Sequence, residues 1–336
     1  MNYSLICHDK KTQMYQPEAE IALRPGFLQI EIEKAAICGS DYMVLNGTHP
    51  YKQYPAILGH EFIGKVVKTS SDVPFNKGQW VTGLSYGACE ECAACQNGLG
   101  NHCENKVTYN TAGSSGAFTR NMIAHYSSLL PLPEQENIAE QYVLSEPLSI
   151  IVHAMRKVDF SSANKIAIIG AGAMGLLSAI YCHEEKGMAS ITITDNLAAR
   201  QQFTQSLGFS AVKNLHQENE NSIDILIVAG GSELDLDEYL KYLAPAAQIV
   251  LISYFDTRSS IDMNTLVRKE VTLHGSFLSD KDDLQVAIDI IQRTAKTSSN
   301  LKKIISQAIH FSELRDFMLN QSSVGKVVVN QPGVLL

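Results

Sequence analysis

The chain lacks any uninterrupted apolar run of about 18 residues, close to the length an α-helix needs to cross a bilayer, so a helical membrane span is excluded. It also lacks the apolar segment of a secretory leader. MNYSLICHDKKTQ places Asp9, Lys10 and Lys11 where that segment belongs, and a cytoplasmic protein is the expectation. Excess positive charge is missing too: 27 Lys and Arg stand against 35 Asp and Glu. The net charge of -8 argues against nucleic acid or an anionic membrane as partner. No repeat, low-complexity tract or long block of like charge is present. At 336 residues the chain exceeds what one core ordinarily organises, so two domains are expected.

To about residue 150 the sequence is rich in short β-type runs separated by Gly and Pro, among them FLQIEIEKAAI, FIGKVVKT, QWVTGLSY and NMIAHY. From 151 to 276 apolar runs without polar alternation (KIAIIG, SITITD, SIDILIVAGG, AQIVLIS, EVTLHGSF) alternate with the helical patterns MGLLSAIYCHEEKG, NLAARQQFTQSLG and DLDEYLKYLAP. Such runs predict parallel strands buried under helices on both faces. The helical stretch DDLQVAIDIIQRTAK and the strand pattern GKVVVN lie outside this alternation. Residues 277–336 are therefore expected to return to the first domain and make it discontinuous.

Gly170-Ala-Gly172-Ala-Met174-Gly175 follows the strand pattern KIAII and opens a helix, and Asp195 ends the next strand about 20 residues on. Gly170 permits a tight turn, Gly172 lets the backbone approach a pyrophosphate, and Gly175 lets helix and strand pack closely, with the phosphates on the helix N-terminus. A carboxylate at Asp195 accepts hydrogen bonds from a ribose 2′-hydroxyl and repels a 2′-phosphate, which favours NAD over NADP. Arg200, one helical turn beyond, is the residue that complicates this reading; its plain alternative is a solvated helix residue.

Seven cysteines are an odd number, and in a reducing cytosol four at C-x2-C spacing read as metal ligands before disulfides. Cys89, Cys92, Cys95 and Cys103 follow C-x2-C-x2-C-x7-C, with Glu104 next. Bacterial ferredoxins close on x3 and a proline, so the iron–sulphur reading weakens. Four thiolates in one loop make a closed tetrahedral zinc shell with no position for substrate, hence a structural site. Cys7 and Cys182 fit no metal spacing. A second set is scattered: Cys38 in AAICGSD, His60 and Glu61 in ILGHEFIG, Glu146 in LSEPLSI. A catalytic zinc takes about three protein ligands from separate loops and keeps one position open. Taken singly, Cys38 and His60 read as ordinary buried residues, and spacing does not establish convergence.

CGSD at 38–41, GHEFIGKV at 59–66, the four-cysteine lobe with Gly98 and Asn101, EPLS at 146–149 followed by VHA, the GAGAMG turn and GKVVV occur in that order. Together they resemble the zinc-dependent medium-chain alcohol and polyol dehydrogenases over nearly the whole chain. The resemblance implies an α/β protein: a GroES-like β-rich catalytic domain (1–150 and 277–336), a doubly wound Rossmann domain binding NAD (151–276), and a cleft between them. It also implies two zinc ions per chain, a small-molecule alcohol substrate and a homodimer or homotetramer. Cys38, His60 and either Glu61 or Glu146 look like the catalytic zinc ligands. EPLS is typical of the polyol, sorbitol and threonine branches, which moves the expected substrate to secondary hydroxyls of sugar alcohols, sugar phosphates or related acids.

Ser40 resembles the family's proton-relay hydroxyl, whose plain alternative is a helix-cap serine. Many relatives continue the relay through a histidine just after the Asp41 position. Here Tyr42 and Met43 follow, so Tyr42 or His49 would stand in, while Asp41 reads as a structural hydrogen-bonding residue. His153 reads as a hinge or core histidine, and Gly230–Gly231 as a possible edge of the nicotinamide cleft. The alternatives are an L-threonine 3-dehydrogenase-type enzyme and a non-catalytic dinucleotide-binding protein.

Overall fold

The computed structural model describes residues 2–19, 22–133, 139–230, 234–255, 258, 260–294, 300–320 and 323–335. The chain divides into two compact units: Met1–Ser149 with Ser279–Ser298 and Ile305–Leu336, and Ile150–Leu278 with Ser299–Ile304. The short helix Asn300–Lys303 thus leaves the segment expected to lie wholly with the first unit. Asn300 Nδ2 donates to the Leu207 carbonyl at 3.1 Å, and Leu301 is buried, which ties this turn to the second unit.

The first unit is β-rich because its apolar residues alternate. In strand β1 (Phe27–Ala36), Leu28, Ile30 and Ile32 are buried and the polar residues between them are not. β1 lies at the centre of a seven-stranded sheet. It pairs antiparallel with β2 (Glu61–Thr69), with Asn121–His125 and with Lys326–Asn330. Its inward side chains join Phe62, Val66, Phe118, Val327 and Val329 in one core. The register sets Ala36 opposite both Glu61 and Val328, so the end of β1 meets the starts of the other two strands. Helix α1 (Gly39–Asn46) begins directly after that junction and stops at Gly47, whose φ of 69° is left-handed. The helix Lys281–Thr294 also belongs to this unit. Asp283 N–H donates to Asp280 Oδ1 at 2.8 Å and Asp280 N–H to Asp283 Oδ2 at 3.0 Å, a reciprocal cap that starts it.

The second unit is a six-stranded parallel sheet. Its spatial order is Ser210–Val212, β4 (Ser190–Thr194), β3 (Lys165–Ile169), Ile223–Val228, Leu243–Leu251 and β5 (Thr272–Gly275). In chain order this is 3-2-1-4-5-6, the doubly wound Rossmann arrangement. Helix α2 (Ala173–Glu184) follows β3. Two expectations fail locally. The helical pattern DLDEYLKYLAP gives a helix only over Asp237–Leu240, because Leu243 already pairs with Ile223 in the sheet. EVTLHGSF is not buried on both faces: β5 is the sheet edge, and Thr272, Leu273 and Gly275 are exposed. No described helix is long and apolar enough to cross a membrane.

Candidate metal centre and dinucleotide turn

The strand junction of the first unit brings three of the scattered residues together. Cys38 follows β1 and precedes α1, while His60 and Glu61 sit where β2 begins. The Cys38 sulphur, a His60 ring nitrogen and a Glu61 carboxylate oxygen all lie within 4.8 Å of one another. Glu146 falls outside that set but is buried nearby, hydrogen-bonded to Ser85 and within electrostatic reach of His60 and Glu61. Asp41 ties the two loops together. Its carboxylate, buried completely, accepts from Cys38 N–H (2.9 Å), Gly59 N–H (3.1 Å) and Asn110 Nδ2 (2.6 Å). Ser40 is half-buried in the first turn of α1.

Two residues that the sequence reading missed complete this arrangement. Lys326, buried at the start of its strand, donates to both Glu61 oxygens at 2.7 Å. A lysine heading the otherwise apolar run KVVV was the available signal. Asn110 reaches Asp41 and lies 3.4 Å from His60 Nδ1, on backbone with φ 60°; no pattern in the sequence marks it.

The electrostatics suit a cation. The protein packed around the Cys38 sulphur, with the charges of Glu61, Asp41 and Glu146, pushes its thiol up to about 12 against the pull of Lys326. Burial also raises the Glu146 carboxyl. Burial alone would lower Lys326, but Glu61, Cys38 and Glu146 more than offset it, and its ammonium is raised. A thiol, an imidazole and carboxylates at this spacing are a borderline-soft donor set of the kind zinc takes, and a divalent ion would reverse the cost of ionising Cys38 and Glu146.

The four-cysteine loop has different geometry. Sulphur separations are 3.6 Å for Cys92–Cys95, 3.9 Å for Cys92–Cys103 and 3.4 Å for Cys89–Cys103. A tetrahedron with zinc–sulphur bonds of about 2.3 Å has edges of about 3.8 Å, so the four thiols fit that ion. Backbone N–H groups of Cys95 and Glu104 lower the Cys92 thiol to about 6. Every ligand position would be filled by the protein.

In the second unit the glycine turn is formed as its spacing predicts. Gly170 has φ 97°, and Gly172 caps α2. A Cβ on Gly175 would lie 1.8 Å from the Gly170 carbonyl oxygen, so no other residue fits there without displacing the turn. Gly230, two residues past the end of Ile223–Val228, lies against Gly170 at the point where the strand order reverses; Gly231 is outside the described residues. Met174 is half-buried in the first turn of α2. Asp195 Oδ2 accepts from Ala171 N–H at 2.9 Å, and Oδ1 from Leu197 N–H at 2.9 Å. Arg200 is not a plain solvated residue: its Nη1 pairs with Asp195 Oδ2 at 3.4 Å.

Residues 24–134 match the alcohol dehydrogenase GroES-like domain, and residues 173–293 the zinc-binding dehydrogenase domain. An uncharacterised zinc-type alcohol dehydrogenase-like protein of Haemophilus influenzae is 30% identical over 305 residues, 87% of each chain. The chain belongs to the zinc-dependent medium-chain alcohol and polyol dehydrogenases. Other relatives of this dehydrogenase are an L-galactonate-5-dehydrogenase of Escherichia coli, 30% identical over 59% of this chain and 57% of that one, and a sorbitol dehydrogenase of Halalkalibacterium halodurans, 24% identical over 85% of each. Its fold matches an Escherichia coli alcohol dehydrogenase solved with NADH (TM-score 0.86, 21% identity, 98% and 99% covered). It also matches a zinc-binding dehydrogenase of Sinorhizobium meliloti solved with NADP (0.85, 21%, 98% of each).

Proposed function

We propose that this dehydrogenase oxidises a secondary hydroxyl of a polyol-type substrate with NAD. The observation that carries the reading is the convergence of Cys38, His60 and Glu61 within 4.8 Å in a chain that also forms a complete glycine turn with an acid after β4. Family membership supports zinc and a nicotinamide cofactor, and relatives named for L-galactonate and sorbitol support a polyhydroxylated substrate. Asp195 favours NAD, because its carboxylate suits a ribose hydroxyl and repels a phosphate there.

Cys38, His60 and Glu61 would hold the catalytic ion, with Glu146 beside them; Cys89, Cys92, Cys95 and Cys103 would hold a structural one. When bound, zinc supplies a Lewis acid that eases loss of a hydroxyl proton, and the nicotinamide accepts a hydride. The protein orients the substrate and moves that proton. Ser40, two residues from Cys38, would receive it. Tyr42 or His49 would carry it onward. Desolvation, with Lys52 and His60 nearby, lowers His49 to about 4, so it is neutral at pH 7 but a weak base. Burial pushes the Tyr42 phenol up to about 12, and among the described residues its buried hydroxyl has no hydrogen-bond partner. Asp41 and Asn110 act through the ligands, holding the Cys38 and His60 loops in place.

Homo-oligomerisation belongs to the same proposal. Among the described residues β5 offers an unpaired strand edge with Leu273 46% exposed, and the helix before it exposes Val267 (74%) and Met263 (63%). The enzymatic reading is tested by screening the zinc-loaded protein for reduction of NAD and NADP over polyols, sugar phosphates, aldonic acids and L-threonine. Turnover of a polyol-type secondary alcohol with NAD is expected. Turnover of L-threonine alone would replace this substrate class, and no turnover of any compound would overturn the enzyme reading.

A further inference from the structure

The four-cysteine loop and the metal centre share one stem. The strands Tyr86–Gly87 and Val107–Thr108 pair antiparallel, with Tyr86 opposite Thr108 and Gly87 opposite Val107. The loop lies at one end of this stem. Cys89 N–H donates to Cys103 Sγ at 3.3 Å, and these two cysteines, 14 positions apart, bracket the loop. At the other end Tyr109 N–H donates to the Ser85 carbonyl at 3.0 Å. Asn110 follows directly. Its Nδ2 donates to Asp41 Oδ1 at 2.6 Å and stands 3.4 Å from His60 Nδ1, while the Ser85 hydroxyl bonds to Glu146. Asp41 in turn accepts from Cys38 N–H and Gly59 N–H.

The stem is held from two sides. The segment 125–128 backs it: Ser127 Oγ donates to the Ala88 carbonyl (2.7 Å), and Tyr109 Oη lies 2.9 Å from Ser128 Oγ. The loop closes the other side. A two-stranded hairpin this short is marginal by itself, so whatever ties the ends of its loop decides how firmly it stays paired. An ion on Cys89, Cys92, Cys95 and Cys103 is such a clip, because it joins the first and last residues of the loop and removes the repulsion among thiolates 3.4–3.9 Å apart. Asn110 depends on that support. It is fully buried with φ 60°, a left-handed backbone that a residue with a side chain keeps where its surroundings enforce it.

Resting on the two-site zinc reading above, we infer that the four-cysteine loop is a positioning device for the metal centre: with its ion bound, the stem holds Asn110 against Asp41 and His60, and the catalytic ion binds more tightly. The two ions then bind with positive coupling. Linkage makes that coupling reciprocal, so each occupied site strengthens the other by the same factor.

The test uses cobalt(II) as the probe on the full chain, against a competing chelator. A site of four thiolates and a site of one absorb differently, so the two occupancies are read separately. Cys95→Ser, which disables the loop site, should weaken cobalt at the metal centre about 10-fold, and Cys38→Ser, which disables the metal centre, should weaken cobalt in the loop by the same factor. Asn110→Gly keeps the left-handed backbone and deletes the amide. In that background Cys95→Ser should cost the metal centre little more, because the link is already cut. If Cys95→Ser is too unstable to titrate, Cys38→Ser measures the same coupling from the other side, with far-ultraviolet circular dichroism certifying its fold. Two ions that bind independently would overturn the inference and leave the two-site reading standing. So would an equal loss from Cys95→Ser with and without the Asn110 amide. A wild-type chain that takes up one ion would instead bring down the two-site reading, and the coupling with it.

Discussion

Cys38 and Cys95 are both thiols, yet their surroundings assign them opposite consequences. On the proposed reading Cys38 would sit in a site whose fourth position is left to substrate, so Cys38→Ser should lower zinc from about two to about one per chain and abolish NADH formation, with the fold retained. On the same reading Cys95→Ser would remove a ligand from a closed shell where metal binding is folding free energy, so it should lower the melting temperature and solubility. Metal analysis and thermal melts on the two variants check the division, which fails if both behave alike. Lys326 gives a second residue-level expectation. It is the hydrogen-bonded counter-ion of the buried Glu61, and in the metal-free chain Lys326→Met would leave that carboxylate uncompensated. A cost of about 3–5 kcal/mol in urea unfolding is expected.

Among the elements, the glycine turn was the most legible, because each of its residues answers a local steric demand that sequence spacing expresses. Gly175→Ala puts a methyl group 1.8 Å from the Gly170 carbonyl oxygen. Displacing that turn should cost about 1–3 kcal/mol and weaken dinucleotide binding, read by calorimetric titration with NAD. The cysteine lobe was legible for the same reason. The metal centre was legible only through several motifs in a fixed order, since Cys38, His60 and Glu146 come from separate segments and no spacing relates them. Lys326 remained hidden because its role depends on sheet register, which sets Ala36 against Glu61 and Val328, and Asn110 because it reaches Asp41 from a loop 69 positions away. The edge position of β5 was equally invisible: an apolar run reads the same in the middle of a sheet and at its border.

At the scale of the molecule, stability should decline at alkaline pH. Burial raises the Cys7, Cys182 and Tyr109 groups to about 11, 12 and 12, against ordinary values of 9.0, 9.0 and 10.0. Between those limits the folded chain keeps protons that the unfolded chain releases. The resulting stability is complete below about pH 9 and is lost as pH rises towards 12. Melting temperature measured against pH should therefore fall from about pH 9 upward, and a flat profile would contradict this burial. Self-association is the second expectation at this scale. Sedimentation should find a dimer or tetramer, and Leu273→Lys on the β5 edge should shift it towards monomer.

The Glu61–Lys326 pair joins residues 265 positions apart. At a synthesis rate of about 5–20 residues per second, the lysine leaves the ribosome tens of seconds or less after the glutamate, but always behind almost everything else the first unit needs. The whole second unit is made in that interval. The nascent first unit must therefore wait with an unbalanced acid at the start of β2, and closing its sheet around the strand Lys326–Asn330 is at once the last pairing of β1 and the neutralising step of the metal centre.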